Sequence, residues 1–472
     1  MDKIRLYNTA TKNIEDFYPI NPKKVGFYSC GPTVYDFPHI GNWYTFIRYD
    51  ELNRMLKLAG YNTSWVMNIT DVGHLVSDED EGEDKLEKGA KREGTTAWDI
   101  AKKYTQYFEQ GLERLNIEKP DKLPKATDHI TEQIELIKML ERNKHIYIID
   151  DGVYFDTSTF PDYGKLAGLK LSGQQEGARV AINKQKRNPS DFALWKFSPK
   201  TKDEKKRDME WDSPWGKGFP GWHLECSAMS MKYLGQTLDI HGGGVDHIPV
   251  HHTNEIAQSE GATGKPFSNF WFHSHFNLVN GKKMSKSLGN FYTLEDIENK
   301  GFSVIAFRLL VLQSHYRTDA HFSWDNLQAA QNRLQELTAM ADMQWQPLAK
   351  KAQMNRYAHK INIINALAND LNTPEALAIL AQISNDIVSN SIHKNEIPSL
   401  IEFLSFLDSA FGLSLSGRSD ISTEQKNTLQ KRKEARDAKD FEASDRLRDV
   451  LKKQGIIVRD TDHGQIWSRT LS

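Results

Sequence analysis

Two cysteines, one histidine and one glutamate have the side chains that a tetrahedral zinc ion prefers. His251 and Glu255 lie four residues apart in a stretch with helical character, so both side chains lie on one helix face and could reach one ion. Cys30 and Cys226 are the only cysteines of the chain. Two thiolates, one imidazole and one carboxylate would complete the shell, and thiolate ligands favour zinc over magnesium or calcium.

The same four residues also have an interpretation without a metal. Free cysteines are most often small buried hydrophobic residues, and His251 and Glu255 would then form a surface pair. No Cys-x-x-Cys pair supports the metal site. His252 could take the place of His251, because only the four-residue offset to Glu255 favours His251. Spacing alone leaves these alternatives open.

Two other segments carry groups suited to phosphate. In residues 38–42 (PHIGN) a predicted strand gives way to a helix, where free backbone N–H groups and the helix dipole favour an anion. Gly41 would allow a nucleotide to approach closely, and His39 can donate to a phosphate. The alternative for this segment is an ordinary capping and packing turn.

The second phosphate segment is the string KMSKS at residues 283–287. It places the ammonium groups of Lys283 and Lys286 on a loop, where positive charge can stabilise phosphate charge that develops in a transition state. The alternative is a solvated lysine-rich turn, although this string is far more specific than a run of charge.

A predicted strand–helix–strand unit would position Cys30 and the phosphate segment at residues 38–42. Residues 25–30 and 64–70 read as buried strands, and residues 41–59 between them have apolar positions at near-helical spacing. A parallel sheet with a right-handed crossover follows, so the predicted fold class is α/β. Ligands bind at the carboxyl ends of such strands, which here are the neighbourhoods of Cys30 and Thr70.

The rest of the chain shows a change of character along its length. Helical pattern fills residues 95–150 and 303–412, and turn residues and charges fill residues 150–215. Strand signals return at residues 237–241 and 269–279, and the second strand meets Asn280 and Gly281, a strong hairpin signal. The acidic run at residues 78–84 predicts a solvated loop, and residues 414–423 predict a linker.

Length and composition limit the class of protein. The 472 residues allow about three domains of roughly 150 residues each. With 39% hydrophobic and 26% charged residues, the chain has the composition of an ordinary globular protein. The net charge of -2 excludes a uniformly basic coat, but residues 425–472 contain 12 basic and 8 acidic residues. One end of a neutral molecule is therefore basic.

The expected location is the cytoplasm, with no membrane partner. Residues 1–16 lack the apolar stretch of about 7–15 residues that a signal peptide needs. No apolar run approaches the roughly 20 residues that cross a bilayer. Two cysteines in a chain of this length also favour a reducing compartment.

The sequence resembles a known family of enzymes. HIGN at residues 39–42, followed by KMSKS, resembles the paired signatures of class I aminoacyl-tRNA synthetases. Over essentially the whole chain the sequence is similar to the cysteinyl-tRNA synthetase family; the matching segments are YSCGPTVYD (28–36), GWHLECSAM (221–229), DIHGGGVD (239–246) and KRKEARDAKD (431–440). Asn42 departs from the first signature, which commonly ends in histidine. Residues 248–250 (IPV) depart from the bulkier apolar stretch common before the histidine at 251.

The resemblance implies a Rossmann-type α/β catalytic domain with a parallel sheet, split by an insertion, then a helical domain and a small anticodon-binding domain. The expected boundaries are residues 1–120 and 221–300 for the two catalytic halves, 121–220 for the insertion, 301–412 for the helical domain and 413–472 for the anticodon-binding domain. The resemblance also implies one zinc ion held by Cys30, Cys226, His251 and Glu255.

The implied reaction joins L-cysteine to tRNA(Cys) at the expense of ATP, which brings magnesium. The cysteine carboxylate attacks the α-phosphate, and the terminal ribose hydroxyl of the tRNA then attacks the cysteinyl-adenylate. Zinc would distinguish the substrate thiol from the hydroxyl of serine, and the protein is expected to act as a monomer. The residues assigned to ATP and catalysis are His39, Gly41, Asn42, Gly242, Gly243, Asp246, Lys283 and Lys286, and those assigned to the substrate cysteine are Thr70 and Trp222.

Two alternative functions predict different features of the sequence. A ligase could pass cysteine to the amine of a small molecule, but such relatives lack a full tRNA-binding end, and the basic residues 425–472 favour tRNA. A zinc-containing RNA-binding paralogue without catalysis would be expected to lose the lysine loop, and Lys283 and Lys286 are present. For Trp222 the alternative is a simple core aromatic.

Overall fold

A computed structural model describes residues 3–73, 84–168, 183–198, 207–279, 281, 282, 284, 289–352 and 360–471 of the chain. The strands are β1 (Arg5–Asn8), β2 (Asn13–Asp16), β3 (Lys24–Ser29), β4 (Asn62–Met67), β5 (Ile146–Ile149), β6 (Gly152–Phe155), β7 (Phe192–Phe197), β8 (Gly218–Pro220), β9 (Leu238–Gly244), β10 (Ser268–Ser274), β11 (Asn277–Val279), β12 (Ala320–Phe322), β13 (Ile456–Thr461) and β14 (Gly464–Arg469). The α-helices are α1 (Ile40–Leu58), α2 (Lys85–Glu93), α3 (Ala97–Arg114), α4 (Ile130–Arg142), α5 (Trp222–Leu234), α6 (Thr253–Thr263), α7 (Leu294–Asn299), α8 (Val304–Leu312), α9 (Trp324–Asp342), α10 (Lys360–Ala368), α11 (Thr373–Asn390), α12 (Ile397–Phe411), α13 (Thr423–Asp437) and α14 (Phe441–Lys453).

A four-stranded sheet in the order β10, β9, β3, β4 confirms the predicted α/β fold class, because all its neighbouring strands run parallel. Its strands are largely apolar and buried, as expected for a sheet covered on both faces. From β3 the chain proceeds through α1 to β4 on one side, and from β9 through α6 to β10 on the other. The connections from the neighbouring strands β3 and β9 thus lead in opposite directions along the sheet. An open sheet binds its ligand at such a point.

An antiparallel sheet of β5, β6, β7 and β8 lies between the two halves of the parallel sheet in sequence. Apolar side chains of α4, such as Leu136 and Ile137, pack in one core with Val153, Phe155 and Leu194 of that sheet. The inserted segment thus shares this hydrophobic core with α5 and α6, through side chains such as Leu224 and Ala257, and it ends directly before α5.

Helix α1 joins the parallel sheet to the helical region through buried ion pairs. Asp50 accepts a hydrogen bond of 2.7 Å from Arg54 and is also paired with Arg308 of α8, and all three side chains are buried. Arg48 pairs with Glu51 at 2.7 Å and donates to the backbone oxygen of α8 and of the turn after it. These contacts fix the second half of α1 relative to the helices that follow the sheet.

The carboxyl-terminal part consists of α13, α14 and the antiparallel hairpin of β13 and β14. The hairpin packs onto the end of α9. Gln346 exchanges two hydrogen bonds with the backbone of Trp467, at 2.7 and 2.8 Å. Asp342, whose carboxylate is buried, accepts from the guanidinium of Arg418 at 2.9 Å and from the backbone N–H of Arg469 at 3.0 Å.

Three expectations about strands need correction. The predicted strand at residues 269–279 is divided at His275 and Phe276, because β10 pairs with β9 whereas β11 pairs with β12. Residues 303–412, predicted to be helical almost throughout, include the short strand β12, and residues 95–150, also predicted to be helical, include the strand β5. The expected hairpin pairing is present: Val279 and Lys282 exchange backbone hydrogen bonds of 2.9 and 3.0 Å.

Among the described residues, no helix combines the length and the apolar character needed to span a bilayer.

Candidate active site

A cleft of about 720 Å³ opens at the carboxyl ends of β3, β4 and β9. The residues that line it include several from the segments singled out in the sequence: Cys30, His39, Asn42, Thr70, Trp222, Cys226, Gly244, Asp246 and His251. Most of them follow the end of a parallel strand or start the helix after it, where an open sheet binds its ligand. Helix α5, which follows β8 of the antiparallel sheet, adds Trp222 and Cys226.

The four residues predicted to hold zinc converge at one end of this cleft. Cys30, Cys226, His251 and Glu255 are buried, and their ligand atoms all lie within 4.8 Å of one another. His251 Nε2 is 2.8 Å from Glu255 Oε1, and Cys30 Sγ is 3.9 Å from the same oxygen. Zinc bonds of about 2.0–2.3 Å require ligand separations of roughly 3–4 Å in a tetrahedral shell. The donor set and its spacing fit a zinc ion.

The chain forms this cluster from three elements. Cys30 follows β3, and its N–H donates to the Gly242 carbonyl at 3.0 Å. Cys226 lies in the first turns of α5. A π-helical turn at Ile248–His252 leads into α6 and places His251 one turn before Glu255.

Neighbouring groups shift the pKa values of three side chains in the cluster. Burial lowers the pKa of His251, but Glu255 and Cys226 outweigh burial and raise that pKa to about 10. Burial raises the pKa of Glu255, but His241 and His251 outweigh it and lower the pKa to about 2. For Cys226, hydrogen bonds from Cys30 and His251 outweigh burial and lower the thiol pKa to about 7. One thiol is thus ready to ionise near neutral pH, as metal binding requires.

A second group of possible ligands shares two members with the first. Cys30, His241, His252 and Glu255 also have ligand atoms within 4.8 Å of one another. Cys226 and His251 line the cleft, whereas His241 and His252 do not. The first group is therefore the one that a substrate can approach.

His241 and His252 of the second group contact ligands of the first group from the side away from the cleft. His241 Nε2 lies 2.8 Å from Glu255 Oε2. His252 Nε2 lies 3.4 Å from Cys30 Sγ, and its Nδ1 is 2.7 Å from His273 Nε2. Such partners orient a metal's direct ligands. Sequence reasoning missed His241 and His273, which the pairing of β9 with β10 brings to one face of the sheet.

The glycines at 242–244 belong to β9, which continues through them. A Cβ atom on Gly243 would lie 2.2 Å from His252 Cε1, so this strand position has no room for a side chain. Of the three glycines, only Gly244 lines the cleft, together with Asp246. The structure does not place Gly242 or Gly243 on the cleft wall.

The other end of the cleft is the start of α1. His39 caps this helix: its Nδ1 accepts from the N–H groups of Gly41 and Asn42 at 3.0 and 3.2 Å. A neutral His39 ring must therefore carry its proton on Nε2. Asn42 Oδ1 accepts from the His39 N–H at 3.0 Å, which leaves the Asn42 amide group as a donor. Gly41 itself does not line the cleft, and a Cβ there would lie 2.5 Å from Met284.

The lysines of the second signature, Lys283 and Lys286, lie outside the described residues, as do residues 78–83 of the acidic run. Within the described part, Met284 and Phe291 line the cleft, and the Phe291 ring lies 5.1 Å from the His39 ring. Met284, the one described residue of the second signature, and Phe291 therefore both lie beside the first signature.

Thr70 and Trp222 lie near the zinc-type cluster. The Thr70 hydroxyl donates to Glu225 at 2.9 Å and accepts from Asn68 at 3.0 Å. The ring centroid of Trp222 lies 4.5 Å from that of His251. Both residues line the cleft, so Trp222 is not simply a core aromatic.

Several lining residues were missed by sequence reasoning. Tyr49, His247, Lys85, Lys88 and Arg92 all face the cleft. The last three repeat at helical spacing along α2, but periodicity alone does not reveal which wall a short helix covers.

Two family models match the chain. The model for the catalytic domain of class I (C) tRNA synthetases matches residues 16–332, and the model for the cysteinyl-tRNA ligase anticodon-binding domain matches residues 418–467. A cysteine–tRNA ligase of Treponema denticola is 43% identical over 99% of this chain and 99% of the relative. A cysteine–tRNA ligase 1 of Burkholderia lata is 45% identical over 98% of this chain and 96% of the relative.

The fold has solved counterparts. The methionyl-tRNA synthetase of Mycobacterium tuberculosis in complex with methionyl-adenylate superposes with a TM-score of 0.60 at 14% identity, covering 83% of this chain and 92% of that chain. A likeness at this identity concerns the fold. With the catalytic-domain match and the near-complete alignment to relatives above 40% identity, the chain belongs to the cysteine–tRNA ligase family of class I tRNA synthetases.

Proposed function

We propose that this enzyme joins L-cysteine to tRNA(Cys) through a cysteinyl-adenylate formed from ATP. One observation carries the proposal: a single cleft has a buried cluster of two cysteines, one histidine and one glutamate at one end and the start of α1 at the other. That arrangement suits a substrate that has a thiol and whose carboxylate must meet a phosphate. The anticodon-binding match at residues 418–467 supports tRNA as the acceptor.

Cys30, Cys226, His251 and Glu255 would hold one zinc ion. When bound there, zinc supplies a Lewis acid that prefers a thiolate to a hydroxyl group, which an apolar pocket alone distinguishes by only about 1–3 kcal/mol. His241 holds the Glu255 carboxylate from behind, and His223 Nδ1 lies 2.9 Å from His251 Nδ1. These contacts fix the orientation of both ligands.

The start of α1 binds the phosphates. His39 presents Nε2–H, Asn42 presents its amide, and the first turn of α1 contains no acidic residue that would oppose an anion. Both groups are neutral donors held by the helix cap, so they require no rearrangement as charge moves to the phosphate oxygens. Lys283 and Lys286 are assigned the transition-state charge, and Asp246, which lines the cleft, the rest of the ATP site, with magnesium accompanying ATP.

Thr70 and Trp222 would contact the bound cysteine. Trp222 packs on the His251 ring and forms the wall beside the cluster. The Thr70 hydroxyl is oriented by Asn68 and Glu225, so it is positioned before substrate binds.

From the sequence we also propose that the domain boundaries fall at residues 120, 220, 300 and 412, and that the enzyme acts as a monomer in the cytoplasm. A ligase for a small-molecule amine would have no use for residues 418–467, which match an anticodon-binding domain.

Two assays on the purified enzyme test the proposal. We expect cysteine-dependent exchange of pyrophosphate into ATP, and transfer of labelled cysteine to tRNA(Cys). Exchange without tRNA charging would support a small-molecule acceptor instead. Absence of both activities, with ATP and RNA binding retained, would indicate the non-catalytic paralogue.

A further inference from the structure

Helix α2 presents a row of positive charge to the cleft. Lys85, Lys88, Gly89 and Arg92 all line it, and their spacing places them on one helix face. At 1.5 Å of rise per residue, the three cations extend over about 10 Å along the helix axis. None of these three side chains is among the groups assigned above to cysteine or to the phosphates of ATP.

The three cations differ in how far they are neutralised. Arg92 pairs with Asp36 at 3.5 Å and with Glu93 at 3.0 Å. Lys85 Nζ lies 5.6 and 5.9 Å from the ring centroids of Tyr35 and Trp222. Lys88 is exposed, and within the ranges that the structure describes no carboxylate forms an ion pair with it. Lys88, at the middle of the row, thus has a positive charge that no described carboxylate pairs with.

Aromatic side chains lie along the same wall. Tyr35, Phe37 and Trp222 line the cleft, and the Phe37 side chain is 38% exposed. Cations that follow a backbone, combined with aromatic rings on which bases stack, are the elements with which proteins bind single-stranded nucleic acid. Glycine at 89 lets α2 pack closely against α3 and the Tyr35 backbone, since a Cβ there would lie 3.3 Å from Ile100 and 3.4 Å from the Tyr35 carbonyl.

We propose that the face of α2 formed by Lys85, Lys88 and Arg92 binds the backbone phosphates of the single-stranded 3′ end of tRNA as that strand enters the cleft. The inference rests on the proposed function, because the terminal ribose must reach the adenylate. A row of about 10 Å that starts beside Trp222 and leads away from it suits an extended strand. The phosphates of ATP share the chemistry, but the start of α1 already serves them.

The test compares Lys88→Gln with Lys91→Gln. Lys91 is an exposed lysine of the same helix that does not line the cleft, so both variants lose one charge within one turn of each other. For Lys88→Gln we expect the KM for tRNA in aminoacylation to rise about fivefold, as for one exposed ionic contact. The KM for ATP in pyrophosphate exchange should change less than twofold.

Salt dependence provides the second readout. Each phosphate contact to a single strand contributes about 0.7 to the slope of log affinity against log salt concentration. The slope of log kcat/KM for tRNA should therefore become shallower by about 0.7 in Lys88→Gln, with no change in Lys91→Gln.

The outcomes separate this inference from the proposed function. A higher KM for ATP with an unchanged KM for tRNA would assign the face to the triphosphate and overturn the proposal. Equal behaviour of Lys88→Gln and Lys91→Gln would overturn it as well. Failure of the unaltered enzyme to charge any tRNA would instead contradict the proposed function, whatever Lys88 does.

Discussion

At the scale of single residues, the two adjacent histidines 251 and 252 have different tasks. His251 lines the cleft and contacts Glu255, whereas His252 lies behind it and contacts Cys30 and His273. Both belong to groups of four possible ligands. Their different positions relative to the cleft make them a matched pair for mutation.

We expect His251→Gln to lose its zinc on dialysis, because a direct ligand is removed. His252→Gln should weaken zinc binding by about 10–100-fold and still take up one zinc at saturation, because only support is lost. Metal analysis of the dialysed proteins measures this, with circular dichroism to verify that both are folded. Retention of zinc by His251→Gln and its loss from His252→Gln would assign the ion to the second group.

Spacing and family resemblance predicted the four residues of the first group from sequence. The supporting imidazoles of His241 and His273 were not predicted, because their proximity arises from the pairing of β9 with β10, which are distant from β3 in sequence. A linear sequence shows which residues could bind a metal, but only the sheet order shows which residues lie behind them.

At the scale of elements, β9 must allow His252 to pack directly against its backbone. We expect Gly243→Ala to lower the free energy of unfolding by about 1–3 kcal/mol, because the added methyl group would overlap the His252 ring. Gly26→Ala in β3 is the control, since its methyl group would lie 3.4 Å from the nearest atom, an ordinary contact. Urea denaturation of both variants measures the difference, and equal stability would contradict the packing argument.

Element types were predicted better than their partners. β3, α1 and β4 follow from hydrophobic periodicity and the glycine after α1. The division of residues 269–279 into β10 and β11 could not be predicted, because it depends on β12, more than 40 residues later. Likewise, nothing in the sequence of α2 shows which of its faces meets the cleft.

At the scale of the whole molecule, Asp342 connects the carboxyl-terminal hairpin to α9. Its buried carboxylate accepts from Arg418 and from the Arg469 backbone, so the hairpin has a fixed orientation relative to α9. A tRNA that touches both ends of the protein requires such an orientation.

We expect Asp342→Asn to raise the KM for tRNA roughly tenfold, because two arginines lose a buried partner and the hairpin can shift. Pyrophosphate exchange, which needs no tRNA, should change less than twofold. Asp420→Asn, which removes the carboxylate of an exposed pair with Lys426, is the control. An equal loss of exchange and charging in Asp342→Asn would show a general loss of folding instead of misorientation.

The central claim is that one zinc-binding cluster selects cysteine. It is tested most directly by the ratio of kcat/KM for cysteine to that for serine in pyrophosphate exchange, before and after zinc removal. We expect zinc removal to reduce this ratio to about 200 or less, the limit of discrimination by pocket shape, and zinc addition to restore it. An undiminished preference for cysteine in protein that contains no zinc would contradict the account.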